Sequence, residues 1–189
     1  MQPQIISYDA GRHNADLAKS ASRVIQGGSW KKQRIVLIIP AANSIATKVY
    51  LSHLNMIFPP NQAVVRFAAV GMEVGEAYSQ TLEMVLSHPE LSQWEYLLTL
   101  EHDNIPPPDG VLKLLERMEA RPELSCVGGL YWTKGEGGVP QIWGDPKDPN
   151  LNFRPQPPVS GELVECCGTG MGFNLWRMNM FKDTALRRP

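Results

Sequence analysis

The chain has 189 residues and a formal net charge of -1, enough for one domain whose core needs no covalent staples. Hydrophobic residues make up 43% and charged residues 20%. This excludes a disordered chain, and the near-neutral charge excludes a global attraction to nucleic acid or an anionic membrane. No apolar run reaches transmembrane length, and the polar stretch 1–32 lacks a signal-peptide core, so a cytoplasmic protein with no transmembrane segment and no nucleic-acid partner is expected.

Residues 1–30 read as an N-terminal extension, with a short helix expected over Asp16–Gln26 and ended by Gly27-Gly28. The main domain is expected over 31–189. It opens with Arg34-Ile35-Val36-Leu37-Ile38-Ile39-Pro40, a branched run of the kind that forms a parallel strand buried on both faces. Asn43 or Ser44 is placed to cap a helix bearing Ala46, Val49, Tyr50, His53, Leu54 and Ile57 at helical spacing. Ala63–Val70 is a second strand. Gly71 to Gly75 turns into a helix with Ala77, Tyr78, Leu82, Val85 and Leu86 inward, closed by His88-Pro89.

A third apolar run, Tyr96-Leu97-Leu98-Thr99-Leu100, ends in Glu101-His102-Asp103-Asn104. Three prolines follow, and Asp109 is placed to cap a helix with Val111, Leu112, Leu114, Leu115 and Met118 on its apolar face. Ser125 to Tyr131 reads as a further strand containing Gly128-Gly129. Thr133 to Ser160 is a long loop, Val164 to Cys167 another strand, and Phe173 to Phe181 a final strand or helix. Strands alternating with amphipathic helices predict an α/β fold, a Rossmann-like and mostly parallel sheet flanked by helices.

In extended backbone, residues two apart point the same way, so Glu101 and Asp103 are expected to face one point at a strand's carboxyl end. Ligands bind at that end of such sheets, and two carboxylates suit a hard cation such as Mn²⁺ or Mg²⁺ holding a phosphate group. The competing reading is that Asp103, Asn104 and Asp109 only make turns. His102 is expected on the opposite side of the strand. Gly168-Thr169-Gly170-Met171-Gly172 does not match a dinucleotide fingerprint, and permits either close approach to a ligand or a turn. Tyr131, Trp132 and Trp143 are candidate aromatic contacts for a substrate. The three cysteines, Cys126, Cys166 and Cys167, show no CxxC pair and are expected as reduced, buried core thiols. No GxSxG elbow, Walker A loop or HExxH helix is present.

The order of these motifs from Arg34 to Phe181 resembles GT-A-fold glycosyltransferases of the family 2 type. The resemblance rests on Leu97 to Asn104 and the capped helix after it, on the first strand ending in Pro40-Ala41, on Val127 to Tyr131 and on Cys167 to Phe173. It implies a metal-dependent enzyme that moves a sugar from a nucleotide-sugar donor to an unknown acceptor. Glu101-His102-Asp103 would stand for the D-x-D motif, with Glu101 and Asp103 on the metal and Asn104 beside them. Pro40 and Ala41 would line the base pocket, and Tyr131, Trp132, Trp143, Gly168, Thr169 and Gly170 the sugar and acceptor side. Relatives carry an Arg-Asn pair where this chain has Glu76-Ala77-Tyr78-Ser79, and carry an acid and a histidine beyond the glycine segment. The domain is therefore expected to be incomplete after Pro189, with the catalytic base unassigned. The alternatives are a domain that binds a nucleotide sugar or glycan without turnover, and a sugar-phosphate nucleotidyltransferase. The latter lacks a glycine-rich loop after the first strand, where Ala41-Ala42-Asn43-Ser44 stands.

Overall fold

Three apolar runs become the parallel heart of the sheet. In this computed structural model, which describes residues 34–59, 63–151, 154–156, 161 and 163–183, β1 is Arg34–Ala41, β2 Ala63–Val70 and β3 Tyr96–Leu100. The helix expected over Asp16–Gln26 lies outside the described residues. β1 runs parallel to both neighbours, with Ile38 opposite Phe67 on one side and Thr99 on the other. All five residues of β3 are buried, as are Ile35 to Ile38 of β1, because both strands are covered on two faces.

Helix α1 (Thr47–Leu54) starts three residues after Ser44 and has no side-chain cap, so the cap expected at Asn43 or Ser44 is corrected. Its buried residues are Val49 and Ser52, with Met56 buried just past its end, while Tyr50 and Leu54 are exposed. The stripe is rotated because α1 docks on the proline loop, where Ser52 Oγ donates to Pro106 O at 3.1 Å and Ile57 N donates to Pro108 O at 2.8 Å. Helix α2 (Val74–Ser87) is capped by Glu73, whose carboxylate accepts from the Gly75 and Glu76 amides at 2.9 and 3.2 Å. Helix α3 (Gly110–Ala120) buries the apolar face expected of it. Asp109 precedes it but does not cap it with its side chain. The buried carboxylate reaches Lys113 Nζ at 2.8 Å instead.

The sheet is mixed. Five strands lie in the order β2-β1-β3-β7-β4, where β4 is Cys126–Gly128 and β7 is Phe173–Arg177. β7 is antiparallel to both β3 and β4. The strands that alternate with helices, β1 to β4, run parallel as expected, and the exception is β7, which enters after the long excursion 129–172 and not through a helix crossover. This insertion has a functional consequence: Phe173 lies opposite Leu100, so the Gly168–Gly172 segment is delivered to the end of β3. α3 covers one face, with Val111, Leu114, Leu115 and Met118 against Tyr96, Leu98 and Leu100. On the other face, Tyr78 and Val85 of α2 join Val36, Ile38 and Leu97.

Part of the stretch after β4 is paired. β5 (Ile142–Trp143) pairs with β6 (Gly168–Thr169) in a small antiparallel sheet. The strand expected over Val164–Cys167 is thus displaced to Gly168–Thr169. Its backbone meets side chains and loops one bond at a time, as where Gln156 Nε2 donates to Glu165 O at 3.1 Å. No helix among the described residues is long and apolar enough to cross a membrane.

Candidate functional site

β3 stops at Leu100, and Glu101 to Asn104 turn back on themselves, the Asn104 amide donating to Glu101 O at 3.1 Å. The extended backbone from which convergence of Glu101 and Asp103 was argued is therefore absent. The two carboxylates still act on each other. Burial pushes the Glu101 carboxyl above its ordinary range, the Asp103 charge raises it further, and His102 and Lys134 oppose the shift.

Each wall of the site has a structural source. The Glu101 amide donates to Gly172 O at 3.0 Å, tying the end of β3 to the segment that leads into β7. The Gly172 amide donates to the Tyr131 hydroxyl at 3.0 Å. Asn104 Nδ2 points at Glu101 Oε2, at 3.4 Å. A Cβ on Gly172 would strike Asn104 Nδ2 and come within 2.5 Å of Tyr131 Cζ, and one on Gly170 would overlap the Tyr131 hydroxyl. Those two glycines therefore admit the chain's own Asn104 and Tyr131. Tyr78 of α2 donates to Met171 O at 3.3 Å, and its hydroxyl is held protonated mainly by burial and secondly by the Glu101 charge. Burial likewise raises the Tyr131 hydroxyl; the Gly172 amide opposes it and the Glu101 and Asp103 charges add to it. Lys134 Nζ lies 2.6 Å from Asp103 Oδ2.

The structure brings together Glu101, Asp103, Asn104, Tyr131 and the Gly170–Gly172 turn. Pro40 and Ala41 end β1 at the same edge of the sheet: Ile38 is opposite Thr99, two residues short of Pro40 and Glu101 respectively. Both are buried, and the exposed residues at that edge are Ala42, Asn43 and Ser44. Trp132, Gly168 and Thr169 instead line a separate cavity of about 960 Å³, which neither Glu101 nor Asp103 borders. Trp143 sits in β5 opposite Gly168 and is not part of the described wall of that cavity.

Three contributors escaped the sequence reading. Tyr78 reads as one more apolar residue on a helix. Lys134 is a single lysine in a glycine-rich loop. His53 Nε2 lies 3.0 Å from Asn104 O, and burial depresses its pKa, against which the Asn104 carbonyl works. The cysteines also depart from expectation: Cys126 and Cys166 are partly buried, Cys167 is exposed, and all three border the cavity. Among the described residues no group of three or more His, Cys, Asp or Glu is placed to hold a metal.

The donor set at Glu101 and Asp103 nevertheless suits Mg²⁺ or Mn²⁺, which protein sites commonly hold through one or two carboxylates, with waters and phosphate oxygens completing the shell. A scan against protein-family models finds none that matches the chain, and a search of curated proteins finds no significant match.

Proposed function

We propose that the chain is a metal-dependent glycosyltransferase domain of GT-A type, acting on a nucleotide sugar. The observation that carries this reading is the carboxylate pair at the carboxyl end of β3. On one side lies the end of parallel strand β1, and on the other Gly172, just before β7, whose carbonyl accepts from the Glu101 amide. Glu101 and Asp103 would hold the cation, which would neutralise charge on the departing diphosphate. Burial around Glu101 strengthens any charge interaction made there. Tyr78 keeps its proton and donates it to Met171 O, while Tyr131, which accepts from the Gly172 amide, keeps a proton to donate beside the pair. Asn104 orients Glu101, and Gly172 fixes the turn through the Glu101 amide.

A second reading, a domain that binds a nucleotide sugar without turnover, is favoured by one observation. Lys134 already supplies a cation to Asp103, and no third acidic or histidine ligand joins the pair among the described residues. Hydrolysis of a panel of nucleotide sugars with Mn²⁺ separates the two. Release of nucleoside diphosphate that is lost in Glu101→Ala/Asp103→Ala supports the transferase. Metal-dependent binding without any release supports the binder.

A further inference from the structure

Tyr131 to Gln141 folds back on itself as a hairpin beside the carboxylate pair. Its base is tight: the Gln141 amide donates to Tyr131 O at 2.8 Å, the Thr133 amide to Val139 O at 3.0 Å, and the Val139 amide to Thr133 Oγ1 at 2.8 Å. Trp132 bridges to Pro140, and a Cβ on Gly138 would strike Thr133 O. The base also belongs to the site, since the Tyr131 hydroxyl accepts from the Gly172 amide. The tip, Lys134-Gly135-Glu136-Gly137, is open. Gly135 and Gly137 have φ of 104° and 73°, and nothing lies within 4 Å of a Cβ on either. Lys134 thus stands between a fixed base and an unpacked tip.

Charge gives this lysine a second partner. Among the described residues, no other lysine or arginine pairs with Glu101 or Asp103. A divalent cation held by those two carboxylates is balanced by them. The negative charges of a diphosphate brought to the same place are then unmatched, and more charge develops on it as a sugar departs. The Lys134 ammonium, once displaced from Asp103, is set free beside them.

We propose that Lys134 is a phosphate-binding residue: its ammonium leaves Asp103 when a divalent cation is bound there, and pairs with the phosphate oxygens of a nucleoside diphosphate group held at the carboxylates. This role rests on a nucleotide being held there, which both readings above share. The move is short, because a phosphate bound beside Asp103 adjoins the oxygen that Lys134 Nζ already reaches at 2.6 Å. The lysine side chain is exposed, so little packing opposes the exchange. Lysine binds phosphate as a point charge on a flexible stem, which suits a group that must change partners.

The test is calorimetric titration of the full chain, first with Mn²⁺ alone and then, at saturating Mn²⁺, with the diphosphates of uridine, guanosine, cytidine and adenosine and with the parent nucleosides. Lys134→Ala should weaken the Mn²⁺-dependent diphosphate by at least about tenfold, while Mn²⁺ alone binds no more weakly than to the native chain. Lys134→Arg keeps the charge and should stay within about threefold of native for the diphosphate. Binding of a nucleoside should be the same in both variants as in the native chain. Diphosphate binding untouched by Lys134→Ala, an equal loss in Lys134→Arg, or an equal loss of Mn²⁺ or nucleoside binding overturns the proposal. Each of those results leaves the nucleotide reading standing, provided Glu101→Ala/Asp103→Ala still abolishes diphosphate binding. A native chain that binds none of these diphosphates overturns both.

Discussion

Lys134 Nζ sits 2.6 Å from Asp103 Oδ2, so an ammonium already occupies one side of the carboxylate pair. The lysine side chain is 76% exposed and the aspartate 40%. An ion pair this open is worth about 0.2–1 kcal/mol, and an arriving divalent cation displaces it at little cost. Lys134→Ala should therefore tighten Mn²⁺ binding by up to about fivefold, with little change in melting temperature. Isothermal titration with Mn²⁺ checks this; weaker binding in the variant would mean that Lys134 orders the site and does not compete for it.

Glu101 makes the folded chain sensitive to pH. Its carboxyl is raised above the ordinary 4.5, first by burial and then by Asp103. The folded state thus holds that proton more tightly than the unfolded one. Stability from this group is present below 4.5 and is lost as pH rises through the higher folded value. Glu101→Gln should melt above the native chain at neutral pH, and the gap should close as the solution is acidified below 4.5. Thermal melts across that range test it; a gap of opposite sign would remove the buried, repelled carboxylate from the account.

Gly172 is the hinge pin of the site. A Cβ there meets Asn104 and Tyr131 at once. Gly172→Ala should cost about 1–3 kcal/mol, the range of overpacking in a filled space. It should also weaken metal binding by moving Asn104 off Glu101. Tyr131→Phe should cost about 1–3 kcal/mol by leaving the Gly172 amide without its acceptor. Denaturant unfolding of both variants is the check, and a neutral Gly172→Ala would contradict the packing described.

The parallel core was legible because Ile35 to Ile38 and Tyr96 to Leu100 are continuous apolar runs, a pattern that burial on two faces demands. Helices α2 and α3 were legible from their apolar faces. The strand order was not. β7 slips between β3 and β4 as an antiparallel strand, and nothing in Phe173 to Arg177 encodes its direction. The α1 stripe misled for a similar reason, since docking on Pro106 and Pro108 overrode the spacing of Tyr50 and Leu54. Within the candidate site, Glu101 and Asp103 were singled out by their chemistry, although the extended backbone argued for them is a turn. Tyr78, His53 and Lys134 come from elements that only the fold places there. Trp132 and the Gly168-Thr169 pair were grouped with the carboxylates by sequence order, while the structure assigns them to the cavity next door.

The most direct test of the central claim is titration of the chain with a panel of nucleoside diphosphates, with and without Mn²⁺, in native form and as Glu101→Ala/Asp103→Ala. The account predicts that at least one nucleotide binds only with Mn²⁺, and that the double variant loses at least about tenfold in affinity. Binding that ignores the metal, binding that survives the double substitution, or no binding by any member of the panel would contradict it.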